Sequence, residues 1–160
     1  MKELKIESTL YVYDNLNELD KDVISLMHKA SEARDNAYAP YSKFNVGAAL
    51  LLDNGEVITG SNQENASYPS GLCAERTAIY YSGAKYPKAK ILKMAIIAGS
   101  TKSQTTEPIP PCGACRQSIA EYEVKQDLPI EIFFMGEVGK VVKSNSLANL
   151  LPLVFDKSAL

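Results

Sequence analysis

The run Ile91–Ala98, ILKMAIIA, restricts the fold of this chain more than any other segment. Its apolar residues follow one another instead of alternating, the mark of a strand covered on both faces. Such a strand needs a layer on either side. Helical spacing of Leu19, Val23, Met27, Ala30 and Ala33 supplies one from about Asn17 to Asn36, closed by Pro40. Further helices are expected from Cys73 to about Ser82, from Gly113 to about Tyr122, and briefly over Ser146–Leu151. Val46–Leu52 and Glu56–Gly60 flank Asp53-Asn54-Gly55, whose Asn-Gly pair predicts a two-residue turn with positive φ at both central positions. Ile130–Met135 and Lys140–Lys143 are read as a second hairpin, the latter strand at the sheet edge. Leu4, Ile6, Leu10 and Val12 alternate with their neighbours and suggest an N-terminal strand. The expected fold is α/β, a three-layer α/β/α sandwich on a mixed five-stranded sheet. Residues 17–160 are read as one domain and residues 1–16 as an extension of unassigned role.

Charge narrows the partners. Seventeen Lys and Arg against 19 Asp and Glu leave a formal charge of −2, so no basic field is present to hold a nucleic-acid backbone. The longest apolar run, Val46–Leu52, is too short to span a bilayer, and the first residues lack a signal-peptide core. A cytoplasmic location without membrane contact is the expectation. The 160 residues contain three cysteines, an odd count that speaks against a disulfide framework and for metal or redox chemistry.

Those cysteines stand in two clusters, Cys73-Ala74-Glu75 and Pro111-Cys112-Gly113-Ala114-Cys115. The sole histidine, His28, lies far from both in sequence. Structural zinc fills four positions with protein atoms, whereas three protein ligands leave one open for water, as in a catalytic zinc. Both clusters fall at expected helix N-termini, where the macrodipole and free N–H groups stabilise thiolates. Residues two apart in a helix diverge, so Cys73 and Glu75 converge only if Cys73 occupies the non-helical entry position and Glu75 the first turn. Three thiolates on a divalent cation give a site of charge −1, which Arg76 and Arg116 are placed to offset by hydrogen bonding to sulfur. Alone, the C-x-x-C fits a redox pair or half a zinc knuckle. Together the clusters fit the zinc-deaminase pattern H-x-E…P-C-x-x-C, with cysteine at the first ligand.

Beyond this pattern the chain resembles the small, homotetrameric cytidine deaminases of pyrimidine salvage. The resemblance runs from about Ala37 to Phe155, through AYAPYSKFNVGAAL at Ala37–Leu50, GSNQENASYPSGLCAERTAI at Gly60–Ile79, PPCGACRQ at Pro110–Gln117 and NLLPLVF at Asn149–Phe155. Pro111 stands where the family commonly has serine. The resemblance implies one zinc ion per subunit on Cys73, Cys112 and Cys115, and Glu75 as proton shuttle. It implies that Asn62 and Glu64 bind the ribose hydroxyls, that Phe44 packs near base and sugar, and that the backbone at Ala74 reads the pyrimidine edge. Ala66, Tyr68 and Phe155 match positions that neighbouring subunits lend to an active site. Taken without the resemblance, the aromatic residues read as packing groups and Asn62 with Glu64 as loop polar groups. The expected reaction is hydrolytic deamination of cytidine and deoxycytidine, with a sister deaminase for another aminonucleoside, such as blasticidin S, as the alternative.

Overall fold

The computed structural model describes residues 1–160, apart from the side chain of residue 159. Six strands and three helices follow one another as β1 (Tyr11–Tyr13), α1 (Lys21–Arg34), β2 (Phe44–Leu52), β3 (Val57–Ser61), α2 (Ala74–Lys85), β4 (Ile91–Ser100), α3 (Gly113–Gln126), β5 (Glu131–Met135) and β6 (Val141–Ser144). The strands form one sheet in the order β1-β6-β5-β4-β2-β3. Only β4 and β5 run parallel, joined through α3, so the sheet is mixed. It has six strands where five were expected. The extra one is β1, whose residues Tyr11, Val12 and Tyr13 pair antiparallel with Lys143, Val142 and Val141. β6 is therefore not the edge; its open backbone groups are taken up by the N-terminal segment. Leu4, Ile6 and Leu10, though alternating, lie outside the strand.

Side chains alternate across β2 and so feed two cores. Ala48, Leu50 and Leu52 pack with Ala74, Ala78 and Ile79 of α2 and Ile119 of α3. On the other face Ala49, with Ala95 and Ile97 of β4, meets Val23, Leu26, Met27 and Ala30 of α1. β4 contributes to both clusters, which is why its run carries no alternation. This gives the three layers.

The β2–β3 turn differs from the expected two-residue form. Gly55 has φ 85°, Asn54 is not among the positive-φ residues, and the Gly55 N–H donates to the Leu52 carbonyl at 3.0 Å. That is a three-residue loop, with only the glycine in the left-handed region. Close approach at β3 places α2. A Cβ on Gly60 would lie 2.6 Å from the Ala74 carbonyl oxygen and 2.6 Å from the Ala78 nitrogen, so only glycine lets the first turn of α2 lie on the sheet.

Candidate active site

Cys73 caps α2 and Cys112 caps α3, both in extended conformation (ψ 156° and 167°), and neither side chain caps its helix. Their sulfurs are thereby free to face each other. Cys115, in the first turn of α3, completes the group, and the three Sγ atoms lie within 4.8 Å of one another. Cys73 and Cys112 are 3.7 Å apart, Cys112 and Cys115 3.5 Å. Thiolates arranged tetrahedrally at about 2.3 Å from zinc are roughly 3.8 Å apart, so the spacing suits that ion. No other His, Cys, Asp or Glu group of this kind occurs among the described residues.

The electrostatics around the sulfurs favour a thiolate at Cys73. The Cys73 thiol is pulled down to about 5, first by the neighbouring Cys115 S–H and then by Arg76. Cys115, fully buried, is pushed up as the proton-holding partner. Arg76 Nη2 reaches the Cys73 sulfur at 3.9 Å, while its Nε is buried with no hydrogen-bond partner. A guanidinium so placed balances an anionic thiolate cluster. Arg116 departs from the expectation. Its Nε donates to the Pro111 carbonyl at 2.9 Å and its Nη1 to the Leu150 carbonyl at 2.8 Å, so it ties the chain after β6 to α3 instead of bonding sulfur.

Glu75, in the first turn of α2, is 4% exposed. Burial pushes its carboxyl above the ordinary carboxylate range, and the Cys73 charge adds to the effect. Above the helix N-termini opens a cavity of about 770 Å³, lined by Cys73, Cys112 and Glu75 together with Phe44, Asn62, Glu64 and Tyr68. Asn62 is nearly buried, its Oδ1 accepting from the Val46 N–H (2.8 Å) and its Nδ2 donating to the Phe44 carbonyl (2.9 Å). One N–H and one lone pair remain free of these bonds. Glu64 Oε2 accepts the N–H groups of Tyr41 (2.9 Å) and Ser42 (3.2 Å), and its carboxyl is held low, chiefly by Ser42.

Not every expected residue is brought to the cavity. The fully buried Ala74 and the exposed Ala66 and Phe155 are not among the residues that line it, whereas Tyr68, 78% exposed, is. Sequence reasoning missed Tyr41, Ser42, Ile96, Ala98, Ile109 and Pro110, all of which line it. Pro110 adjoins the second cysteine cluster, which was a usable signal. The Tyr41 and Ser42 N–H groups act through the main chain and carry no residue-type signature.

Comparison with known proteins agrees with this geometry. Residues 20–128 match the family model described as cytidine and deoxycytidylate deaminase zinc-binding region. The chain is 40% identical over 130 residues to a cytidine deaminase of Halalkalibacterium halodurans, covering 81% of this chain and 91% of that protein. It is 39% identical over 142 residues to one from Sporosarcina psychrophila, covering 87% and 95%. A crystal structure of cytidine deaminase from Burkholderia pseudomallei superposes with a TM-score of 0.71 at 39% identity, over 82% of this chain and 97% of that one. The match spans both cysteine clusters and Glu75, so the chain belongs to the cytidine and deoxycytidylate deaminase zinc-binding family, with one zinc ion as its cofactor.

Proposed function

We propose that the chain hydrolyses cytidine and deoxycytidine to uridine and deoxyuridine with release of ammonia, as a step of pyrimidine salvage. The observation that carries this reading is Glu75, a buried carboxyl with a raised pKa beside two cavity-facing thiols. Zinc held by Cys73, Cys112 and Cys115 supplies a Lewis acid that brings the pKa of water from about 15.7 to about 7. Glu75 then moves protons twice: it takes one from the attacking water and delivers it to ring N3, then takes the remaining one from the hydroxyl newly bonded to C4 and delivers it to the amine, which leaves as ammonia while C4 becomes a carbonyl. A carboxyl with a raised pKa suits both the accepting and the donating step. The burial of Glu75 keeps its proton transfers away from bulk water.

Selection of a nucleoside is assigned to Asn62 and Glu64. Each has hydrogen-bonding capacity left after its bonds to the main chain, and a base without ribose would leave it unmet. Phe44 supplies the apolar wall beside base and sugar, and the Ala74 backbone the contact to the pyrimidine edge. We infer a cytoplasmic homotetramer, in which Ala66, Tyr68 and Phe155 of one subunit complete a neighbour's site; the exposure of all three supports this reading.

Zinc-loaded protein should release ammonia from cytidine and deoxycytidine, and little from cytosine, CMP or adenosine. Release from cytosine alone, or from none of them, would overturn the assignment. Sedimentation equilibrium should give four copies, and a fully active monomer would remove the shared-site part.

A further inference from the structure

Between β4 and the cap of α3 the chain crosses residues 101–112 without a helix or strand of its own. This connection delivers Cys112 and puts Ile109 and Pro110 into the cavity wall. Its anchor lies outside the cavity, at Glu137 in the turn between β5 and β6. Glu137 Oε2 accepts the Thr105 N–H at 2.8 Å, and the Glu137 N–H donates to the Thr105 carbonyl at 2.8 Å. Oε1 accepts from Arg34 Nη2 at 2.7 Å, and Arg34 Nε donates to the Asn45 carbonyl at 3.3 Å. The pair is largely shielded, at 15% and 22% side-chain exposure, so its charge-assisted bonds are stronger than surface ones.

The clamp extends to a second segment of the wall. Thr105 Oγ1 accepts the Ser100 N–H at 3.1 Å, and next to it the Thr101 N–H donates to the Lys43 carbonyl at 2.8 Å. Lys43 is held at φ 59°, a left-handed conformation that a lysine keeps only under constraint. It is followed by Phe44 and preceded by the two N–H groups that hold Glu64. Glu137 thus holds Thr105, four residues before Ile109, and is linked through Thr105, Ser100 and Thr101 to the Lys43–Phe44 corner, without lining the cavity itself.

We propose that Glu137 is a positioning residue for substrate, clamping Thr105 with Arg34 so that the two segments of the cavity wall are held at the separation a nucleoside needs. The proposal rests on the nucleoside reading of the cavity given above. In zinc-loaded Glu137→Ala, KM for cytidine should rise about tenfold, with kcat within about twofold, since the lost contacts hold the wall segments and are not at the reacting atoms. Glu137→Gln keeps an acceptor for the Thr105 N–H but not the charge for Arg34, and should show about a threefold rise, even if the alanine variant folds poorly. Limited trypsin digestion should show faster cleavage after Lys102 in both variants. A lowered melting temperature with unchanged KM would overturn the proposal, as would loss of kcat at full zinc content. Wild-type protein that releases no ammonia from cytidine would overturn the nucleoside reading, whereas active wild type with unchanged KM in both variants overturns the positioning role alone.

Discussion

Cys73 and Glu75 stand two positions apart on one helix start, yet their environments drive their protons in opposite directions. Arg76 and the Cys115 S–H favour the Cys73 thiolate, whereas burial favours the neutral Glu75 carboxyl. Glu75→Gln should keep zinc and lose about 10²–10⁴-fold in activity, the usual worth of general acid–base catalysis. Activity near wild type in that variant would remove Glu75 from the chemistry. The same shift has a stability consequence in chelator-treated protein. A carboxyl whose folded pKa is raised contributes stability below its unfolded value, about 4.3, and loses it as pH rises through the folded value. Glu75→Gln should therefore melt higher than wild type at pH 8 and equally at pH 4. Equal melting at both values would refute the burial argument.

The site is assembled from helix ends, and α2 is placed by a close contact with the sheet. Gly60 admits the first turn of α2, and with it Cys73 and Glu75. Gly60→Ala would force a methyl against the Ala74 and Ala78 backbone, so β3 and α2 must separate. The expected cost is about 1–3 kcal/mol, the range for an overpacked interior, with weaker zinc binding in a chelator competition. A variant with unchanged melting and unchanged zinc affinity would show that the interface yields without moving the cysteines. α3 is held at its start by a different device: Arg116 binds the Pro111 and Leu150 carbonyls, fastening the cap of the helix to the chain beyond β6. The sequence placed both arginines beside the cysteines but could not tell which guanidinium would find sulfur. That depends on where Leu150 comes to lie, a matter of long-range contact.

At the scale of the whole molecule, zinc joins two helices that reach the sheet from different points in the chain. Removing it should lower stability by about 4 kcal/mol at free zinc a thousandfold above Kd, a melting shift on the order of 10 °C. Calorimetry with and without chelator measures this, and an unchanged transition would mean that the metal does not tie α2 to α3. Much of the layout was legible beforehand, because hydrophobic period is local: the unbroken run of β4 announced its two covers, and the 3.6-residue spacing announced α1. The cysteine count and spacing likewise pointed to a three-thiolate centre, since ligand type and number are properties of the chain itself. The tertiary structure alone decided the rest. It joined Tyr11–Tyr13, at the end of the suggested N-terminal strand, to β6 as a sixth strand of the sheet, because which edge a strand pairs with is a long-range contact. It left Arg116 to the main chain and drew Tyr41, Ser42, Ile109 and Pro110 around the cavity, because those contacts join segments far apart in sequence.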